Sequence, residues 1–178
     1  MGSPNAILYA VWAANNTVAF NANGDGVLGS MVNQEIATDA TLNLTANSFT
    51  REGYTFEGWA LSSEGGVDYY DEDEFTMGPI STVLYAVWET IPYTITYNLD
   101  GGSSTNPATF TIESSIIPLN DPIKPGFIFS GWFDNPGLTG VAITTIPTGS
   151  TGDKSLWAKW STGQYIQGDA SGGGGGGW

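Results

Sequence analysis

The sequence contains no cysteine and no histidine. The first absence removes disulfides, thiolate metal sites and cysteine nucleophiles, and leaves the redox compartment open. The second removes the commonest general base and the commonest transition-metal ligand, so any catalysis would rest on carboxylates, tyrosine, lysine or hydroxyls. Basic residues are nearly missing too: Arg51, Lys124, Lys154 and Lys159 stand against 18 acids, for a net charge of −14. A field of that sign repels phosphate backbones and anionic lipid heads, which argues against nucleic acid and membrane surfaces as partners. No apolar run approaches the ~18 residues that span a bilayer as a helix, and no stretch is laid out as a signal peptide, so no membrane insertion is expected. Met1-Gly2-Ser3-Pro4 reads as an added start.

Against these gaps stand a hydrophobic content of 40% and an aromatic content of 13%, enough to build packed cores although only 12% of residues are charged. A length of 178 residues allows one domain or two small ones. The acidity is uneven, with 11 acids and one Arg over residues 13 to 88, and six acids and three Lys over residues 89 to 160. Residues 172 to 177 are consecutive glycines before Trp178, a linker composition that packs no core.

The chain repeats itself. Leu8-Tyr9-Ala10-Val11-Trp12 recurs as Leu84-Tyr85-Ala86-Val87-Trp88 and, changed, as Leu156-Trp157-Ala158-Lys159-Trp160, at intervals of 76 and 72 residues. Asn16 to Gly24 aligns with Tyr93 to Gly101, and Arg51-Glu52-Gly53-Tyr54-Thr55-Phe56-Glu57-Gly58-Trp59 with Lys124-Pro125-Gly126-Phe127-Ile128-Phe129-Ser130-Gly131-Trp132. Each unit opens with an alternating strand ending in a turn dipeptide, Asn23-Gly24 or Asp100-Gly101. Such dipeptides supply positive φ and predict a hairpin into Val27 to Ile36, or Pro107 to Ile112.

In the central motif, strict alternation places Tyr54 and Phe56, and likewise Phe127 and Phe129, on one side of a strand and Trp59 and Trp132 on the other. Gly53 and Gly126 read as turn residues, and Gly58 and Gly131 as points of close approach. The closing strand keeps Leu, Ala and Trp at positions one, three and five, so Leu84, Ala86 and Trp88, with Leu156, Ala158 and Trp160, define its core face beside Phe56 and Phe129. Positions two and four vary and read as the wetter side, where Lys159 can snorkel. One short helix per unit is expected, around Leu42 to Asn47 and Ser115 to Asn120 or before the last strand, with Pro118 limiting the second to a single turn.

This combination of an opening strand with an Asn/Asp-Gly turn, a Gly-aromatic-x-Phe-x-Gly-Trp motif and a closing Leu-aromatic-Ala-x-Trp resembles the Listeria-Bacteroides repeat family, which includes the B repeat of internalin-type surface proteins. The matching stretches are Thr17 to Gly24, Arg51 to Trp59 and Leu84 to Trp88, then Thr94 to Gly102, Lys124 to Trp132 and Leu156 to Trp160. Pro125, and the unusual acidity of the first unit, depart from the family pattern. The resemblance implies an α+β, mostly β fold: two tandem small β-grasp-like, ubiquitin-like repeat modules on a secreted or cell-wall-attached bacterial protein.

The expected organisation is a closing strand of a truncated preceding repeat at 1–14, repeat module 1 at 15–88, a linker at 89–92, repeat module 2 at 93–160 and a flexible Gly-rich tail at 161–178. The chain thus reads as a fragment of a larger extracellular protein. Such repeats act as stalks and interaction modules, not enzymes, and carry no shared catalytic residues or cofactors.

Several local features invite a sharper reading. Asn21-x-Asn23-x-Asp25-Gly26 imitates the start of an EF-hand loop, but its twelfth position is Val32, which supplies no carboxylate. The acid run between Asp68 and Glu74 makes Asp68, Asp71, Asp73 and Glu74 the better calcium candidates, against the plain reading of a solvated loop. Carboxylate pairs also serve glycosidases, yet no acidic motif position recurs between the units. A Lys-Asn amide cross-link could not be shared, because residues 13 to 88 contain no lysine. Tyr69, Tyr70, Tyr85 and Trp157, if exposed, are candidates for stacking on sugar rings, although most rings in such a sequence pack in the core. Leu8 and Trp12 belong to a strand whose own unit is absent, and that strand is a candidate for self-association. The candidate partners are therefore a host or cell-surface protein, a glycan, or a second copy.

Overall fold

The structure is a computed structural model that describes residues 9–10 and 15–163. The chain divides into two compact units, Met1–Ile91 and Pro92–Trp178. The first holds β1 (Asn15–Asn21), β2 (Val27–Leu28), β3 (Gln34–Ala37), β4 (Thr41–Asn43), β5 (Thr50–Arg51), β6 (Tyr54–Ala60), β7 (Glu74–Thr76) and β8 (Thr82–Thr90). The second holds β9 (Tyr93–Asn98), β10 (Thr109–Phe110), β11 (Ile117–Pro118), β12 (Phe127–Phe133), β13 (Thr145–Ile146) and β14 (Lys154–Thr162).

Each unit is built on a four-stranded sheet, in the order β3-β1-β8-β6 and β10-β9-β14-β12. Its central pair is parallel and joins the opening strand to the closing one, Phe20 beside Leu84 in the first unit and Tyr97 beside Leu156 in the second. The outer pairs are antiparallel. The expected hairpin after the opening strand is looser than a two-residue turn: β1 pairs with β3 from Asn15↔Ala37 to Val18↔Gln34, while β2 pairs with β5 instead. Asn23 and Asp100 do take positive φ, 48° and 47°.

The fold is all-β, which corrects the α+β expectation: no helix occurs among the described residues, and the helix of a β-grasp module has no counterpart there. Both helix candidates are extended chain. Leu42 lies in β4, paired with Phe75 of β7, and Ile117–Pro118 is β11, paired with β13. The next backbone amides continue the pairing, Leu44 N–H donating to Asp73 O at 2.8 Å and Leu119 N–H to Thr144 O at 2.9 Å. A helix of about one turn is unfavourable by itself because nucleation fixes several residues for one hydrogen bond. The ladder satisfies the same backbone groups and also buries Leu44 and Leu119.

The core of the first unit gathers Val18, Ile36, Leu44, Phe49, Trp59, Phe75, Met77, Leu84 and Ala86; that of the second gathers Ile95, Phe110, Leu119, Trp132, Ile146, Leu156 and Ala158. Trp59 and Trp132, placed by alternation opposite Phe56 and Phe129, lie instead on the same side. A β-bulge shifts the register, Phe56↔Trp88 being followed by Gly58↔Val87 and Trp59↔Ala86, and the same shift separates Phe129 from Gly131. The extra residue reverses the phase of the strand, and Trp59 is fully buried as a result. Its directly opposed residue is Ala86, as Ala158 is for Trp132, so the small side chain in the closing strand makes room for the neighbouring indole.

Trp88 and Trp160 are half-buried. The Trp88 indole N–H donates to Ala22 O at 2.9 Å and that of Trp160 to Leu99 O at 3.0 Å, tying the closing strand to the turn after the opening one.

Candidate functional site

The acidic loop is organised by backbone amides that its carboxylates accept from. Asp68 accepts a hydrogen bond from Leu61 N–H at 2.8 Å, Asp71 from Asn47 N–H at 2.8 Å, and Asp73 from Tyr70 N–H at 2.7 Å. Glu74 is exposed on β7. Three of the four calcium candidates thus each accept a backbone N–H from a different segment, and no group of three acidic residues converges among the described residues. In the EF-hand look-alike, Asn21 Oδ1 accepts from Asn23 N–H at 2.8 Å, and Asn23 Nδ2 donates to Ser63 O at 3.0 Å and Ala86 O at 2.9 Å. Asn23 is therefore a brace between loop and sheet.

The four aromatic candidates separate. Tyr69 turns inward and meets Phe75 edge to face at 5.2 Å, and Tyr85 is half-buried in the sheet, opposite Ala60. Tyr70 is exposed at 67%. Leu8 and Trp12 lie outside the described residues.

Trp157 lines an open cavity of about 470 Å³ in the second unit, together with Asp134, Thr145, Ile146, Asp153 and Ser155. The two units can be superposed here by their backbone bonding, since Trp59 bridges to Tyr69 as Trp132 does to Ile143, and Leu44 bonds to Asp73 as Leu119 does to Thr144. Where the first unit places Tyr69, Phe75 and buried Met77, the second places the smaller Ile143, Ile146 and exposed Thr148. The cavity opens where side-chain volume has been withdrawn.

At its rim, Asp153 accepts from Thr94 N–H at 2.7 Å, a bond that Ser81 Oγ supplies to Thr17 N–H at 3.0 Å in the first unit. Hydrogen bonding from Thr94 holds the Asp153 carboxyl below its ordinary range, with Lys154 contributing in the same direction. On the core side of the sheet, desolvation raises the Tyr97 phenol, whose hydroxyl donates to Pro107 O at 3.0 Å.

A second recess, of about 280 Å³, lies in the first unit against Asn23, Arg51, Ser63, Glu64, Gly65 and the strand from Ala86 to Trp88. The Arg51 guanidinium stacks on Tyr54, 3.7 Å from the ring centroid. Its Nε is buried without a hydrogen-bond acceptor. In the second unit Lys124 stands at the equivalent position, and its Nζ pairs with Asp100 at 2.8 Å. The sequence offered one overlooked signal for this recess, that Arg51 is the lone cation of residues 13 to 88. The cavity beside Trp157 had no local signal, because its walls come from separate stretches between Asp134 and Trp157 that meet only in the fold.

The profile of the Listeria-Bacteroides repeat domain matches residues 17–87 and again 93–159. Among curated proteins the chain is 29% identical, over 98% of its length, to a protein of Evansella cellulosilytica described as a Gly-rich membrane protein, covering 20% of that protein. It is 34% identical over 89% of its length to another from the same organism, described as a membrane protein, covering 23% of it. It is 32% identical over 63% of its length to internalin H of Listeria monocytogenes, covering 20% of it. The chain therefore spans about a fifth of the length of the curated relatives it matches. No solved structure matches it significantly. With the profile falling twice, once on each of the two four-stranded sheets, the chain belongs to the Listeria-Bacteroides repeat family as a tandem pair of its domains.

Proposed function

We propose that this pair of domains is a non-enzymatic part of an extracellular bacterial surface protein, serving as a stalk segment and protein-interaction module of an adhesin. The observation that carries the reading is what the two copies share. Both keep the bulged Gly, the buried Trp opposite Ala, and the closing Trp bonded to the turn after the opening strand. Both are thus the same scaffold, whereas each carries a recess at a different place with a different lining. A duplicated scaffold with divergent surfaces suits presentation and spacing, since a catalytic constellation would have to be among the residues held in place. The internalin and membrane-protein relatives support an envelope location. Antibodies raised against this chain should label intact cells that carry the parent protein; labelling that requires permeabilisation would refute the location, and substrate turnover by the purified chain would refute the role.

A second reading is favoured by the Trp157 cavity, where an aromatic ring stands with Asp134, Asp153 and hydroxyl groups. Such a set accepts a sugar by ring stacking and hydrogen bonds to its hydroxyls. A glycan array probed with the native chain and with Trp157→Ala tests it, and signal that survives the substitution would remove it.

A further inference from the structure

We propose that the recess around Arg51 in the first unit is a binding site for a sugar acid, with the ligand's carboxylate seated on the guanidinium. The two repeats act as each other's control. In the second unit the cation of the central motif is neutralised within the chain, Lys124 Nζ meeting Asp100 at 2.8 Å. In the first unit the residue equivalent to Asp100 is Asn23, whose amide donates to Ser63 O and Ala86 O. The carboxylate has gone and the cation has stayed, as a guanidinium in place of an ammonium.

Arg51 makes no ion pair among the described residues, and its Nε is buried without an acceptor. A desolvated charged donor left unpaired is costly, and a carboxylate matches the planar fork of a guanidinium with two parallel bonds. The Tyr54 ring beneath the guanidinium at 3.7 Å holds its plane in place.

The remaining lining selects among carboxylates. Asn23, Ser63 and Glu64 are polar, and Glu64 accepts hydrogen bonds from hydroxyl groups while disfavouring a ligand that presents only negative charge. A monosaccharide with one carboxylate and several hydroxyls, as in a uronic acid, satisfies both groups. The acid-rich field of the unit also favours a singly charged ligand over a polyanion.

The test titrates D-galacturonate into the full ¹⁵N-labelled chain while following the Arg51 Nε–H resonance, with D-galactose and acetate as parallel arms. A saturable shift is expected with galacturonate, none with galactose, and weaker binding with acetate. Arg51→Gln should weaken galacturonate binding by about tenfold or more, as expected for loss of a charge-assisted pair. Glu64→Gln should weaken galacturonate but not acetate. Because the native resonance reports occupancy directly, the test does not depend on Arg51→Gln folding; Arg51→Lys, which keeps the charge but loses the fork, should fall between. Absence of a saturable shift with galacturonate, or an equal response to galactose, overturns the site. Acetate binding as tightly as galacturonate overturns the sugar-acid assignment.

Discussion

Phe56 and Trp59 are three residues apart on one strand, yet their rings meet edge to face with centroids 4.9 Å apart. In a regular strand that separation puts two side chains on opposite faces. The bulge between Phe56 and Gly58 restores them to one face, and Phe129 and Trp132 repeat the arrangement at 5.3 Å. The indole that fills each core is therefore delivered by an irregularity, and Gly58 is where the irregularity is most exacting.

Gly58 has φ 149°, and a β-carbon there would lie 2.5 Å from Tyr69 O, a backbone atom; at Gly131 (φ 126°) it would meet the Ala142 methyl at 2.9 Å, in an exposed loop that can give way. Gly58→Ala should destabilise the first unit by roughly 2–4 kcal/mol through backbone strain and overpacking, and Gly131→Ala should cost clearly less. Urea unfolding of each variant measures this; equal losses would contradict the contact geometry.

The buried indoles differ in one bond. Trp132 Nε1–H donates to Asn120 O at 3.2 Å, whereas Trp59 Nε1 is buried without an acceptor. Trp59→Phe discards an unsatisfied donor and Trp132→Phe a satisfied one, so the second should cost more by roughly 1–2 kcal/mol. Unfolding midpoints followed through amide resonances resolved for each unit compare the two.

Removing the indole of Trp88 or Trp160 should cost on the order of 3–5 kcal/mol, since Trp→Ala loses both the edge-to-face contact with Phe56 or Phe129 and the bond to the turn carbonyl. Each substitution should lower the melting temperature of its own unit. A loss below about 1 kcal/mol would mean that these half-buried rings close nothing.

Asp153 gives the second unit an acid-sensitive brace. Its carboxyl is held below the ordinary range by Thr94, so the folded state favours the ionised form. The stabilisation is present above the ordinary Asp range near pH 4 and is lost as pH falls through the lowered value of the folded state. Asp153→Asn should therefore lower stability at neutral pH and flatten the acid limb of the melting profile of the second unit. Asp153→Ser, which copies Ser81, should keep the bond and remove the pH dependence. An unchanged acid limb in Asp153→Asn would rule the brace out.

Much of the scaffold was legible because it is local and doubled. The Leu84-Ala86 and Leu156-Ala158 face, the turn residues Asn23 and Asp100, and the family could all be read from spacing and repetition. The helix around Leu42 to Asn47 misread a segment whose strand partner, Glu74–Thr76, lies some thirty residues away. Alternation misplaced Trp59 because it assumes an unbroken ladder, and one inserted residue inverts every side chain beyond it. Among the candidate surface residues, Tyr69 packs inward while Trp157 reaches a cavity, a difference invisible in two positions that both read as aromatic.

The sequence by itself determined that the chain builds the same β-rich scaffold twice, since its period, turns and aromatic positions are local properties written out in both copies. Only the tertiary structure decided where the copies diverge. The cavity beside Trp157 is lined by Ile143 and Ile146, which stand where Tyr69 and Phe75 fill the other unit. Arg51 lacks the ion pair of Lys124 because Asn23 stands where the second unit has Asp100, and the fold buries its Nε without another acceptor. The cavity joins separate stretches between Asp134 and Trp157, and the Arg51 recess joins stretches from Asn23 to Trp88; a volume or an unpaired charge exists only once such stretches are packed.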